Sequence, residues 1–362
     1  MKTRKSKFLM YAATLLLFAG GMTMCSKDST TPAVDKTAMT AAITAANTLL
    51  AGAKEGVAEG NYLKGSKATY QTAVTAAQAV VADAAATQAQ VTAALASLNA
   101  ATATFNGSLV TAIDKANLAG QWTFDEVATT TAGTVVKDYS GNSRDGQIKV
   151  GHPFWGSGVV SLVADRYGVA GKALGFDKGA NVEVPYSAGL NPGIMSLSVW
   201  AKPAVNNPIV NNQYFISMNR WNGYKFNFQD TPRAFFTATY DDPSANPPKV
   251  KTCCYDRDQH VGTAKQGEWH HYVLTFGGGH EVFYIDGILV YDWGAVAGEG
   301  VAGTISTLAS PVNLVFGQGL PTAGYVGTPD DGYYIGALDE VRIYKSVLTP
   351  AQVTSIYNIE KP

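Results

Sequence analysis

Only three cysteines occur in the 362 residues, so neither a disulfide framework nor a cysteine-built zinc site is expected. Charge is scarce as well: 27 basic side chains stand against 28 acidic ones, the net charge is −1, and charged residues make up 15% of the chain. Nucleic acid is therefore not expected as a partner, because a phosphate backbone is met by a basic excess. Low charge beside 46% hydrophobic residues also excludes a disordered, charge-solvated chain. Long apolar runs are missing except near the start, where Phe8–Ala19 follows Lys2, Arg4, Lys5 and Lys7. That run falls short of the ~20 residues of a membrane-spanning helix and has the form of a secretory signal. What is abundant is turn-forming residues, 37 Gly and 15 Pro, in a length suited to about two domains.

Cys25 closes the signal, and Ser26-Lys27-Asp28-Ser29 follows it directly. The segment resembles a bacterial lipoprotein signal peptide over residues 1–24, followed by the surface-export tetrad of Bacteroidetes-type outer-membrane lipoproteins. The resemblance implies lipidation at Cys25 and a lipid anchor in the outer membrane facing the cell exterior, with a polar tether over 25–34. Met22 and Met24 depart from the small residues usual before such a cysteine. The alternative is soluble secretion with an incidental cysteine.

From residue 35 to about 110 alanine dominates, and apolar residues recur at helical spacing: Ile43, Ala46, Leu49, Leu50 and Ala53, then Tyr70, Val74, Ala77 and Val81, then Val91, Leu95, Leu98 and Phe105. Gly52, Gly56 and Gly60 separate the first group from the second, and Asp83 with Thr87 marks the next turn. Three helices in an Ala-rich bundle are expected. The pattern, with Gly60-Asn61-Tyr62 and Gly65-Ser66 between helices, is similar to the FIVAR-type repeat of bacterial cell-surface proteins. That implies a spacer holding the next domain away from the membrane.

From Leu118 the period changes to two and aromatic residues become frequent, as in Met195-Ser196-Leu197-Ser198-Val199-Trp200 and Glu281-Val282-Phe283-Tyr284-Ile285. Asp286-Gly287 between two such runs is a hairpin signal. About a dozen short strands with no intervening helices predict a two-sheet antiparallel β-sandwich, a jelly roll, over 118–360. Trp122-Thr123-Phe124-Asp125, Asp138-Tyr139-Ser140-Gly141-Asn142, Gly171-Lys172-Ala173-Leu174, Trp269-His270-His271-Tyr272, Tyr284-Ile285-Asp286-Gly287 and Leu338-Asp339-Glu340-Val341-Arg342 follow one another as in LamG-like, concanavalin A-like domains. The expected fold class is thus a three-helix bundle followed by a concanavalin A/LamG-like sandwich.

The same fold hosts lectins, adhesins and glycosidases, so function must be argued from residues. Asp125, Asp138, Asn142, Asp145 and Asp339 carry oxygen ligands beside Gly-rich turns, the ligand type of Ca²⁺. The LamG resemblance implies Ca²⁺ near Asp138, Asn142 and Asp339; plain turn chemistry is the other reading. For sugar contact the candidates are Arg220, Trp221, Asn222 and Tyr224, with Trp155 and Asp241 behind them, because flat aromatic faces beside amides and charged groups suit a pyranose. Trp122, Trp200 and Trp269 fall on the apolar phase of strands and are expected in the core. Cys253-Cys254 is a vicinal pair, either a strained disulfide or two thiols. His270 and His271 are neighbours on a strand and point to opposite faces.

A glycosidase needs two carboxylates about 5–10 Å apart, and the Glu-x-Asp-x-x-Glu strand of jelly-roll endoglucanases is missing, as are Gly-x-Ser-x-Gly and His-Glu-x-x-His. The sequence is therefore read as a non-catalytic protein that binds a polysaccharide or oligosaccharide. Resemblance to Bacteroidetes surface lipoproteins implies a SusC/SusD-type transporter as neighbour. The rival readings are an adhesin or protein-docking subunit and an unrecognised hydrolase.

Overall fold

The computed structural model describes residues 33–205, 212–219, 223–229, 232–260, 264–324 and 332–362, without the side chains of 253–255. Three helices come first, α1 (Thr37–Gly52), α2 (Ser66–Ala82) and α3 (Gln88–Gly107). They form because apolar residues line one face of each: Met39, Ile43, Ala46 and Leu50, then Tyr70, Val74 and Ala77, then Val91, Leu98 and Phe105, all buried in one cluster. Thr87 starts α3 with a reciprocal cap, accepting from the Gln90 amide at 3.3 Å while its own amide donates to Gln90 Oε1 at 2.7 Å. The rings of Tyr62 and Tyr70 stack on Phe105 at 4.1 and 4.6 Å. Among the described residues no helix is long and apolar enough to cross a membrane.

The strands that follow are β1 (Leu118–Trp122), β2 (Val135–Val136), β3 (Gly146–Lys149), β4 (Val160–Val163), β5 (Ala173–Phe176), β6 (Asn181–Val184), β7 (Met195–Pro203) and β8 (Gln213–Met218). Next come β9 (Tyr224–Gln229), β10 (Arg233–Asp242), β11 (Val250–Asp258), β12 (His270–Gly277), β13 (His280–Ile285), β14 (Ile288–Asp292), β15 (Thr304–Ile305), β16 (Leu314–Phe316) and β17 (Gly336–Tyr344). One sheet runs β14-β13-β12-β7-β17-β5-β4 with β1 beside β17; the other runs β11-β10-β9-β8-β16-β6-β3-β2 with β15 beside β10. The Asp286-Gly287 hairpin turn forms as the sequence predicts, both residues lying at positive φ, 52° and 75°.

Between the sheets lies a core of Trp122, Phe215, Phe226, Phe228, Phe236, Tyr272 and Phe316, among others. Each such side chain contributes roughly 1.5–3 kcal/mol by leaving water. Trp122 keeps its indole N–H satisfied on the Arg144 carbonyl at 3.0 Å. Trp200 is buried too, whereas Trp269 is only half-buried just ahead of β12, which corrects its expected place in the core.

A helix the sequence reading did not anticipate, α4 (Pro350–Glu360), lays Val353 and Ile356 against Val273, Val282, Tyr284 and Tyr344 on the outside of the eight-stranded sheet. Its end is fixed by charge. Arg342 binds Glu360 and Glu340 at 2.6 Å each, and Trp200 Nε1 donates to Glu360 at 2.9 Å. Beneath it, His271 donates to or accepts from Ser198 through Nε2 at 2.8 Å, and burial pushes its pKa down to about 3. His270, on the opposite face, pairs with Asp286 at 2.7 Å; the two rings share no ligand position.

Candidate functional site

Residues directly opposite one another on paired strands share a face. On the nine-stranded sheet Phe236, Phe226, Ile216, Phe316, Val182 and Ile148 point into the core. The alternate positions form one continuous row on the other face: Asp256, Thr237, Lys225, Ser217, Val315, Glu183 and Gln147, each paired with the next. Six of these seven are polar, although period-two packing needs polarity only where water reaches. Lys225 is 7% exposed, with its ammonium 5.2 and 5.3 Å from the ring centres of Tyr214 and Phe235.

A segment after β16 lies across part of this face. Ser217 Oγ donates to the Gly319 carbonyl at 2.7 Å, the Thr322 amide donates to Glu183 Oε1 at 2.7 Å, and Asn181 Nδ2 donates to Thr322 Oγ1 at 2.9 Å. Beside it, toward β2 and β3, the face opens into a groove of about 350 Å³ lined by Asp145, Gln147, Lys149, Glu183, Pro185 and Asn313, with Val135 at its edge. The Asp138 amide and the Lys137 ammonium hold the Asp145 carboxyl below its ordinary value, the latter at 2.5 Å. Asn313 Nδ2 donates to Glu183 Oε2 at 3.4 Å.

Three residues after Lys149 the chain turns into a tight hairpin closed by mutual backbone bonds between His152 and Gly156, 2.7 and 2.9 Å. Its tip presents Phe154, 51% exposed, edge-on to Trp155 at 4.6 Å, and Trp155 in turn meets Tyr333 at 4.9 Å. Gly179, at φ +76°, makes this packing possible, since a Cβ there would stand 2.7 Å from Trp155 Cδ1 and 2.9 Å from His152 Cγ.

Of the sugar-contact candidates, Trp155 packs against Phe154 and Tyr333 in this hairpin and is not among the residues that line the groove. Nor is Tyr224: its ring is fully buried between the sheets and its hydroxyl donates to the Leu190 carbonyl at 2.8 Å. It continues the inward parity of Phe226 and Phe228. Asp241 accepts from Ser306 Oγ at 2.5 Å, so its carboxylate ties β10 to the residue that follows β15. Arg220, Trp221 and Asn222, the cysteine at 25 and the side chains of Cys253 and Cys254 lie outside the described residues. Gln147, Lys149 and Asn313 were missed. The first two alternate along β3, which is a readable signal, but Asn313 reaches them only through the fold.

Of the residues assigned to Ca²⁺, Asp138 and Asp339 have their oxygens engaged by the protein. Asp138 accepts from the amides of Gln121, Ser140 and Arg144 and from the Ser140 hydroxyl, which occupies both oxygens. Asn142 spends its amide protons on the carbonyls of Leu118 and Ala119. Asp145 belongs to the groove. Asp339 is 1% exposed and pairs with Arg166 at 2.6 Å; burial nonetheless pushes its pKa up to about 8. Asp125 is pushed up by burial and by Glu340. Among the described residues no group of three or more His, Cys, Asp or Glu could hold a metal ion. Asp138 holds its own loop together through those bonds.

Several solved structures resemble the chain. Domain 4 of AbnA, an extracellular arabinanase from Geobacillus stearothermophilus, in complex with arabinotriose, is 18% identical, with TM-score 0.44 over 67% of this chain and 98% of that one. The Trypanosoma rangeli sialidase in complex with sialic acid is 14% identical, with TM-score 0.42 over 69% and 34%. The binding domain of botulinum neurotoxin serotype D is 13% identical, with TM-score 0.43 over 68% and 51%. The chain therefore spans about a third of the sialidase and half of the toxin domain. No curated protein matches it. Residues 35–106 match the FIVAR domain and residues 176–354 the Concanavalin A-like lectin/glucanases superfamily, so the chain joins a FIVAR helical module to a concanavalin A-like, LamG-type sandwich.

Proposed function

We propose that this protein is a non-catalytic glycan-binding lipoprotein of the outer membrane, anchored through Cys25, held off the membrane by its helical module, and capturing a polysaccharide or oligosaccharide for a SusC/SusD-type transporter. The observation that carries the reading is the groove: carboxamides, carboxylates and an ammonium converge on about 350 Å³ of open space, and the chain leaving it at Lys149 reaches the aromatic pair Phe154 and Trp155 five and six residues on. Convergent polar groups are what sugar hydroxyls require, and an exposed ring such as that of Phe154 is what their CH faces stack on.

Asp145 and Glu183 both line the groove, yet their environments favour binding over hydrolysis. Glycoside cleavage needs one carboxyl that keeps its proton. Asp145 is held below its ordinary pKa, and both oxygens of Glu183 accept N–H donors. The first favours the carboxylate over the acid, and the second keeps its oxygens as acceptors within the protein.

The test is retardation of the mature chain, carrying Cys25→Ser to keep it in solution, in native gels cast with a panel of polysaccharides. Selective retardation by one polymer is expected, weakened about fivefold in Gln147→Ala through the loss of a hydrogen bond, with an unchanged melting temperature, since Gln147 is exposed. Equal mobility across a broad panel would transfer the reading to a protein-docking adhesin, and release of reducing ends would make it a hydrolase.

A further inference from the structure

An open sheet edge presents a row of unpaired backbone N–H and C=O groups, and soluble proteins blunt it with charge, proline, shortness or cover. The eight-stranded sheet ends at β14 and β4, the nine-stranded one at β11 and β2. Three of these ends are blunted. β2 has two residues, and β11 carries Lys251, Asp256, Arg257 and Asp258. β14 carries Asp292, and the Gly287 carbonyl just before it is tied to Thr354 of α4 at 3.0 Å. β4 has neither charge nor proline. It pairs with β5, Val160 with Phe176, Ser161 with Gly175, Leu162 with Leu174 and Val163 with Ala173, and among the described residues no strand takes its other side. From Val150 to Ala164 the sequence contains no Asp, Glu, Lys or Arg. The first charged residues beyond turn inward: Asp165 accepts the amides of Tyr167 and Val169 at 2.9 and 2.8 Å, and Arg166 pairs with Asp339 at 2.6 Å. Aliphatic surface stays open at this edge, Val159 being 55% and Leu162 38% exposed.

The edge is also its own complement. Val159-Val160-Ser161-Leu162-Val163 has the same character in both directions, two aliphatic residues on each side of one small polar residue. Opposed residues of an antiparallel pair share a face. Centred on Ser161, two copies set Val160 against Leu162 on the core side, where Phe176 and Leu174 already lie, and Val159 against Val163 on the outer side. Leu162, left open where the sheet stops, gains a neighbour there, and no like charges meet. Ser161 Oγ and Val163 Cγ1 lean back over Gly175, where a Cβ would stand 2.6 and 3.0 Å from them, so these side chains lie over the sheet and not across its edge. We propose that β4 pairs antiparallel with β4 of a second copy of this chain, about a two-fold axis at Ser161, joining two eight-stranded sheets into one. About four to six backbone hydrogen bonds close the joint. So short a seam falls below the roughly 1,200 Å² of standard complexes, which makes the dimer weak, with a dissociation constant of about 50 µM. The pairing does not depend on what the groove binds.

Three measurements test this on the full mature chain with Cys25→Ser. Sedimentation from about 1 to about 200 µM should show monomer passing to dimer. Ser161→Lys, at an exposed position, sets two ammonium groups against each other across the axis and should weaken the dimer at least about tenfold, with the melting temperature held within about 1 °C. Ser161→Cys brings two thiols together on Cα atoms about 4.5–5.5 Å apart and should cross-link on mild oxidation, the bond at position 161 being identified by peptide mapping. Ala297→Cys, exposed in the turn that follows β14 at the opposite edge of the same sheet, should not cross-link. Monomer throughout the range overturns the proposal, as does a dimer that Ser161→Lys leaves intact or that fails to cross-link at position 161. Should Ser161→Lys lower the melting temperature, the cross-link alone decides.

Discussion

Glu281 occupies the second position of β13, on the same inward side as Phe283, and is 1% exposed. Neither carboxyl oxygen has a hydrogen-bond partner among the described residues. Burial raises its pKa well above 4.5, with Arg257 pulling it down and Asp256 adding to the rise. An acid whose pKa is raised in the fold contributes its stability fully below the unfolded value and loses it as pH climbs toward the folded value. If the carboxyl stays neutral at pH 7, the unfolded chain gains the ionisation that the fold forgoes. The interval from 4.5 to 7 at 1.36 kcal/mol per unit makes this about 3 kcal/mol at most. Glu281→Gln keeps the shape and neutrality of the protonated acid and removes the titration. The variant should match the parental protein at pH 4 and exceed it at pH 7 by up to about 3 kcal/mol, or roughly 6–12 °C in Tm for a domain of this size. Urea and thermal unfolding at pH 4, 5.5 and 7 measure this directly. A difference that does not change with pH, or a variant weaker at pH 7, would refute the reasoning.

Other expectations concern separate parts of the chain. On the proposed anchoring, Cys25→Ala should move the protein from the membrane fraction to the soluble one, since acyl chains on that residue would supply the hold; unchanged fractionation would sink the lipoprotein reading. Chelator should leave the melting temperature of the parental protein within about 1 °C of that in millimolar Ca²⁺, because ion binding to the fold alone must raise its stability and the Asp138 oxygens are already taken; a rise of several degrees with Ca²⁺ would show a cation site after all. Asp138→Ala strips acceptors from three amides and a hydroxyl and should cost about 2–4 kcal/mol in urea unfolding, where a loss under 1 kcal/mol would mean the loop finds other partners. Gly179→Ala combines a strained φ with a 2.7 Å approach to Trp155 and should destabilise by about 2 kcal/mol or more; a neutral result would show that the hairpin yields.

Much of the architecture was legible because burial imposes a period. Steps of three and four marked the helices, alternation marked the strands, and Asp286-Gly287 marked a turn whose φ values only a few residue types tolerate. Tyr224 was misplaced by its company: Arg220-Trp221-Asn222-Gly223 suggested a loop site, while the parity of Tyr224, Phe226 and Phe228 already pointed inward. α4 had a signal that went unused, Thr349-Pro350 followed by Gln352, which forms a reciprocal cap. Asp138 and its neighbours show a different limit. An Asx side chain in a Gly-rich turn has the same composition whether it binds a cation or its own backbone, and only the direction of the surrounding N–H groups separates the two. The groove was illegible for a third reason, since Gln147, Glu183 and Asn313 are brought together only by β3, β6 and the approach to β16.

The way the helical module enters the sandwich bears on how a pull would be carried. The Thr111 amide donates to Ser355 Oγ at 2.9 Å and Gln352 Nε2 to the Ala112 carbonyl at 3.0 Å, both on α4, just before β1 pairs antiparallel with β17. Tension arriving through the amino-terminal module is therefore shared between the last helix and the first strand of the sandwich. Both attach to the eight-stranded sheet, so the strain is taken up on the side of the domain away from the groove. The face that carries the groove can stay in shape while the chain is under load.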